Sequence, residues 1–443
     1  MSRRLLHTAG RRVIAAGAVL AAGAVVAACG TTGPSQGTGT SGQGAAATAW
    51  GLTGGSQVTF DYSQQAWNGA HPGQAISFLY YSNDAYKQKV RVAIGAGSAP
   101  TVFENWGGGQ LADYVRSGKV AALTPAVASA ARQRYFPSVL NTAAFNGKLY
   151  GIPVNGTQPV LLYYNKDLFA KVGAQPPRTW DDLLALVAKF KAAGITPLTL
   201  GGGSQWPELM YLEYLADRIG GPSVFSNIAA GKPGAWSDPA IIRAATMIQQ
   251  LVRADAFETG YDFVTYDSGA SSALLYTGKS AMQLMGSWDF ASIAAADPAF
   301  IAGKKLGWTT FPTVPGGTGN PADIVGNPAN YFSVTTAASA SAQKTAQDYL
   351  SNEVTSAGYV KNLLQNGNVP PVKGLTGQLS SQPDADWLLF QYNLVKNAPS
   401  YQLSWDQALP DAAASALLTN LGQLFTDQIT PQQFAAAMNQ AGH

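Results

Sequence analysis

The sequence predicts an α/β protein of two lobes with a helical C-terminal region, on three observations. From Trp50 onward strand-like and helix-like patterns alternate, which implies α/β units on largely parallel sheets. The last quarter loses this alternation and repeats apolar residues at helical spacing instead. The length of 443 residues, 46% hydrophobic and 12% charged, can bury a large core and suits roughly two to four domains.

Taken in order, Ala75 to Tyr81 reads as a short strand between Pro72-Gly73 and Ser82-Asn83-Asp84. Asp84 to Ile94 reads as a helix that ends in the glycine-rich stretch before Pro100. Thr101 to Phe103 is a second buried strand, followed by the loop Trp106-Gly107-Gly108-Gly109. Thr179 is a good helix cap with Asp182 three residues on, and Leu183, Leu184, Leu186, Val187 and Phe190 form the apolar face. Gly194 ends that helix, and Ile195 to Leu200 forms the next strand. Near the C-terminus Leu417, Leu421, Leu424 and Phe425 mark a helix, and Thr430-Pro431 with Gln433 opens the last one. There is no internal repeat at a period of 20–50 residues.

Charge and rare residues exclude several functions. The net charge is +3 and the pI about 8.7, but residues 1–28 hold Arg3, Arg4, Arg11 and Arg12 and no acid, leaving 24 basic against 25 acidic residues beyond them. Nucleic acid is therefore not an expected partner. One Cys excludes an internal disulfide framework and a multi-Cys metal site. His7 and His443 are terminal, so a His-dependent nucleophilic mechanism would rest on His71 alone, in the turn His71-Pro72-Gly73. No cofactor or metal motif is present: Gly107-Gly108-Gly109 and Gly201-Gly202-Gly203 are weak signals by themselves.

The N-terminus reads as an export signal. Arginines precede an apolar run from Val13 to Ala28, and Val26-Ala27-Ala28-Cys29 resembles the bacterial lipobox, whose Cys is acylated in the mature protein. Ser2-Arg3-Arg4-Leu5-Leu6 leaves the twin-arginine and general export routes both open. Residues 30–48 are rich in Gly, Thr, Ser, Gln and Ala and are expected to be a flexible tether.

The candidate site comes from the aromatics. Trp180, Trp308 and Trp387 have apolar surroundings and read as core. Trp106, Trp206, Trp288 and Trp405 each lie at a strand end or turn beside an amide or carboxylate, namely Asn105, Gln205, Asp289 and Asp406. A flat apolar face next to paired donors and acceptors suits a sugar ring. For any one of the four, core packing is as good a reading; the set points to a site. With only five Glu, paired carboxylates are scarce, though a glycosidase using Asp289 and Asp406 remains the alternative.

Several segments together resemble the bacterial extracellular solute-binding proteins of carbohydrate ABC importers, the maltose-binding-like group. They are Ala99 to Gly109, Gly118 to Pro125, Gly147 to Pro153, Leu162 to Phe169, Pro177 to Leu183, Gly278 to Trp288 and Pro399 to Leu409, in the family's order. The resemblance implies a type II periplasmic-binding-protein-like fold: lobe 1 from residues 49–153 and 325–372, lobe 2 from 154–324 and 373–443, with crossings near Ile152 to Asn155 and Val325 to Tyr331. It implies a non-enzymatic, monomeric receptor, lipid-anchored through Cys29 on the outer face of the membrane and delivering a sugar to permease subunits. The implied ligand residues are Asn105, Trp106, Trp206, Trp288, Asn327, Asn330, Trp405 and Asp406. Two features depart from the family pattern: Pro100-Thr101 stands where many relatives carry Pro-Asp, and Asn327-Pro328-Ala329-Asn330 replaces a glycine-rich stretch. A same-fold receptor for a non-sugar solute is the third reading.

Overall fold

Two six-stranded sheets, each covered by helices, organise the chain, which the computed structural model describes over residues 46–441. The export signal, Cys29 and the tether up to residue 45 lie outside the described residues. The first sheet contains β1 (Ala47–Leu52), β2 (Ile76–Tyr81), β3 (Val102–Asn105), β4 (Val120–Ala121) and β5 (Ile152–Pro153). The second contains β6 (Gln158–Asn165), β7 (Thr196–Thr199), β8 (Ser280–Gly286), β9 (Leu306–Thr309) and β10 (Ile324–Asn327). The chain then returns to the first sheet with β11 (Tyr331–Thr335) and to the second with β12 (Tyr401–Leu403).

The sheets are mixed rather than largely parallel. In the first, β1 runs parallel to β2 and β3, but β11 is antiparallel to β3, β4 and β5. In the second, β6 is antiparallel to β8, β9 and β10, while β8–β7 and β10–β12 are parallel. The strands that break the parallel rule, β11 and β6, each enter directly from the other sheet, without the helical crossover that parallel neighbours need. Crossing the molecule and making a parallel sheet are thus competing demands on these strands.

The tether expectation ends sooner than residue 48. Ala47 and Thr48 already pair with Ile76 and Ser77, and Ala47 and Ala49 are buried. Small side chains carry no sequence signal of strand formation, but here they let β1 lie beneath its helices.

Local elements follow their capping chemistry. The predicted helix after Thr179 is Trp180–Ala192, with a complete capping box in which Thr179 and Asp182 satisfy each other's backbone N–H groups. At the last helix, Pro431–Ala441, Gln433 N donates to Thr430 Oγ1 at 3.2 Å and Thr430 N to Gln433 Oε1 at 2.8 Å. Trp180 and Trp387 are core residues, Trp387 stacked on Phe290 at 4.6 Å, while Trp308 packs at the core's edge.

Three passages join the lobes, and they are stitched to one another. Residues 154–157 link β5 to β6, 328–330 link β10 to β11, and 366–372 leave the helix Ala357–Gln365. Val154 N donates to Asn330 O at 2.9 Å, Asn330 N to Asn155 Oδ1 at 2.7 Å and Thr157 N to Val369 O at 2.8 Å. Residues 325–327 still pair within the second sheet, so the return passage begins at 328 rather than 325. Among the described residues no helix is long and apolar enough to cross a membrane.

Candidate functional site

A cavity of about 310 Å³ lies between the two sheets, within the range of small-ligand sites. Its walls come from chain segments at the ends of strands, the usual location of binding residues in open α/β sheets. On the first lobe these are the turn after β1, the turn from β2 into α1 (Asn83–Ala96), and Trp106 after β3. On the second they are the start of α2 (Trp206–Gly220), the loop through Tyr266 and Asp267, and the turn from β8 into α3 (Asp289–Ala296). The passages contribute Gln158, Asn327, Asn330 and Asn368.

Three of the four singled-out tryptophans line this cavity. Trp106 leaves the buried end of β3 and is followed by Gly107 and Gly108, both at positive φ (74° and 66°). A Cβ on Gly108 would stand 2.5 Å from Gln407 O, and one on Gly109 would stand 2.6 Å from Ala408 O. The glycine run therefore serves close approach to the short helix α4 (Trp405–Ala408), which carries Asp406. Trp206 donates from Nε1 to Asp84 Oδ1 at 3.1 Å and meets Tyr266 edge-on at 4.9 Å. Trp288 lies 6.0 Å from Trp206 and folds back over Gly286, where a Cβ would come within 1.9 Å of its Cζ3. Gly286-Ser287-Trp288 thus sets the pose of this ring.

Asn327, Asn330 and Asp406 line the cavity too. Asn330 Nδ2 donates to Glu104 Oε1 at 2.6 Å, and Leu52 N donates to the other Glu104 oxygen at 2.8 Å. Burial pushes the Glu104 carboxyl up to about 7, against the opposing effect of these two donors. The side-chain oxygens of Asn327 and Asn330 are buried without a partner among the described residues, and such acceptors are costly unless something supplies a donor. Asp406 pairs with Lys87 of α1 at 3.0 Å.

Two expected site residues are placed elsewhere. Trp405 is fully buried: it stacks on Phe225 at 4.6 Å, meets Trp236 edge-on at 6.0 Å and donates from Nε1 to Gln402 Oε1. Its place next to Asp406 made it look like a cleft ring, but on a helix of four residues neighbours point to different sides. Its backbone N–H donates to Glu213 at 2.7 Å, and burial pushes that carboxyl up to about 8. Asn105 is buried and used internally: Nδ2 donates to Tyr331 O and Ser333 Oγ, and Oδ1 accepts from Gly107 N. It braces the turn that presents Trp106 and does not line the cavity.

Other lining residues stood outside the expected ligand set. Lys87 Nζ sits over the rings of Trp106 (5.1 Å) and Trp206 (5.7 Å). Asp289, the glycosidase candidate, accepts from Ser272 Oγ at 2.9 Å and Tyr266 OH at 3.3 Å, and burial raises it to about 6. Asp267 accepts from Asp84 N at 2.9 Å, and Asp84 also accepts from Ser204 Oγ, so α1 of the first lobe touches the second directly. The signal for this contact was positional: Ser82-Asn83-Asp84 follows a strand. Among the described residues no group of His, Cys, Asp and Glu could hold a metal ion.

The comparisons agree with this architecture. A structure from work on xylan utilization by the thermophilic bacterium Caldanaerobius polysaccharolyticus superposes with a TM-score of 0.79 at 31% identity, covering 89% of this chain and 99% of that one. A chitin oligosaccharide binding protein superposes at 0.74 with 22% identity over 86% of this chain and 93% of its own, a likeness of fold. By sequence, a protein named probable sugar-binding periplasmic protein in Mesorhizobium japonicum is 29% identical over 231 residues, 52% of each chain. An ABC transporter extracellular-binding protein of Pyrococcus horikoshii is 26% identical over 244 residues, 54% of each. The match spans about half the length of these curated relatives. The model of the bacterial extracellular solute-binding protein family matches residues 49–361, which take in the first sheet from Ala49 on, every strand of the second except β12, and all but the last passage between them, and the chain belongs to that family.

Proposed function

We propose that the protein is an extracytoplasmic receptor that captures a sugar, an oligosaccharide by preference, in the cleft and hands it to the permease of an ABC importer. The observation that carries this reading is the wall of three indole rings, Trp106, Trp206 and Trp288, set among Asn327, Asn330 and Gln158 in a cavity between two lobes. Flat rings stack on the C–H face of a sugar, and the amides pair with its hydroxyls. Lobe closure brings the two sets together, so ligand binding favours the closed arrangement by its extra contacts there. The names of the Caldanaerobius structure and of the Mesorhizobium protein, which concern xylan utilization and sugar binding, support the same class of ligand.

In this reading the protein performs no chemistry. Asp406 is neutralised by Lys87 and Asp289 is engaged by two hydroxyl groups, which fits binding roles better than a pair of hydrolytic carboxyls. The protein works as a monomer, cleaved before Cys29 and held to the outer face of the membrane by a lipid on that residue. Calorimetry against an oligosaccharide panel tests the function. At least one sugar should bind, and Trp288→Ala should weaken it by about 1–3 kcal/mol. Sugar release by the purified protein, abolished by Asp289→Asn, would overturn the receptor reading. Radiolabelled palmitate incorporated by wild type and not by Cys29→Ala tests the anchor.

A further inference from the structure

The cavity is unevenly charged. Three carboxylates line it, Asp267, Asp289 and Asp406, against one cation among its described lining residues, Lys87. Lys87 is already committed to Asp406 at 3.0 Å. Asp289, 1% exposed, is met among the described residues only by the hydroxyls of Ser272 and Tyr266. Asp267 accepts from the backbone of Asp84, a further acid, at 2.9 Å. Asp267 is exposed at the cavity's edge, so Asp289 is the carboxylate that is both buried and without a cation among the described residues, and a buried carboxylate is costly until it is paired.

A second, independent observation points the same way. The side-chain oxygens of Asn327 and Asn330, on residues 8% and 3% exposed, have no partner among the described residues. Both the charged and the neutral unsatisfied groups of the cavity are therefore acceptors, and they call for a ligand rich in donors. The walls accept positive charge as well, since Lys87 Nζ stands over Trp106 at 5.1 Å and Trp206 at 5.7 Å. A metal ion is a poor fit, because no cluster of metal-ligating side chains is found among the described residues.

Building on the sugar-receptor reading, we propose that the preferred ligand is a saccharide bearing a protonated amine, whose ammonium group is held by Asp289 with Asp267 nearby, against the indoles of Trp206 and Trp288. The ammonium supplies the positive charge that Asp289, met by two hydroxyls, lacks. The rest of the sugar stacks on the rings as a neutral sugar would.

Matched saccharides that differ in one substituent test this. Cellobiose, N,N′-diacetylchitobiose and the glucosamine dimer share a β-1,4-linked skeleton and carry hydroxyl, acetamido and ammonium groups at carbon 2. α-1,4-linked and galacto-configured sets of the same design extend the panel. Calorimetry at pH 7 on the intact protein should show the ammonium member of one set binding at least about tenfold more tightly than its two mates. Asp289→Asn should reduce that preference to near parity while the hydroxyl member still binds, and Asp267→Asn should reduce it by a smaller factor. A hydroxyl or acetamido member that binds as tightly as its ammonium mate overturns the amine preference and leaves the sugar receptor standing. Silence from every member of every set overturns the sugar receptor and the amine preference with it.

Discussion

Replacing Trp405 with alanine should damage the fold far more than the binding site, although its sequence surroundings mark it as a sugar-stacking ring. The indole is fully buried, parallel to Phe225 with centroids 4.6 Å apart and edge-on to Trp236 at 6.0 Å. Truncation removes both aromatic contacts, opens a void the size of an indole and takes from Gln402 Oε1 the donor it holds at 3.2 Å. Large-to-small changes of this kind cost about 3–5 kcal/mol of folding free energy. Trp288→Ala removes a ring that lines the cavity and is only partly buried, so its cost should fall on affinity, about 1–3 kcal/mol, with a smaller effect on stability. Urea unfolding followed by circular dichroism, and calorimetry with whichever sugar the wild type binds, separate the two. Trp405→Ala should unfold at clearly lower urea and, where folded, lose less affinity than Trp288→Ala. A Trp405→Ala protein with the wild-type midpoint and no measurable ligand binding would refute this assignment of the indole to the core.

Other outcomes follow from individual contacts. Gly286→Ala should lower ligand affinity nearly as much as Trp288→Ala although the indole is retained, because the new Cβ would sit 1.9 Å from Cζ3 and force the ring out of its pose; calorimetry beside Trp288→Ala checks this. Gly108→Ala should destabilise the protein by about 1–3 kcal/mol in a thermal melt, since a positive φ of 66° and the approach of Gln407 O both exclude a side chain. The Glu213 carboxyl, raised by burial to about 8, binds its proton more tightly in the folded than in the unfolded chain, so its contribution to stability is present below about pH 4.5 and lost as pH rises through about 8. Melting temperatures of Glu213→Gln should thus gain on wild type as pH rises from 5 to 9, by the equivalent of about 1–3 kcal/mol. Asp84→Ala removes the hydrogen bonds from Ser204 and the Trp206 indole that tie the lobes, and small-angle scattering of the ligand-free protein should show a larger radius of gyration, with affinity reduced severalfold.

Much of the fold was legible because it rests on local chemistry. The strand before Ser82, the capping box at Thr179 and Asp182, and the last helix opening at Thr430 all stand close to where composition and capping put them. Strand direction was less legible: β6 and β11 run against their neighbours because each arrives from the other lobe, a fact about the path of the chain rather than about any window of residues. The start of β1 was hidden for a different reason, since Ala47 and Thr48 have the same composition as the tether before them and join the sheet only through pairing with Ile76 and Ser77.

The site divides along a similar line. An indole followed by glycine or preceded by Gly286 can be read from sequence, because the glycines that create room for the ring or its turn are its neighbours; Trp106 and Trp288 are in the cavity for that reason. Side-chain direction cannot be read in the same way. Trp405 and Asp406 are adjacent, yet one faces Phe225 in the core and the other Lys87 in the cleft. Asn105 was drawn to attention by Trp106 and turns out to hold the turn from behind. The acids show a further gap between sequence and site: Asp267, Asp289 and Asp406 are separated by 22 to 139 positions, and although Asp289 and Asp406 adjoin tryptophans in sequence, only folding brings all three to one cavity. A net charge near zero over the body of the protein is therefore compatible with a cleft lined by more carboxylates than cations, and ligand charge has to be argued from the cavity wall rather than from composition.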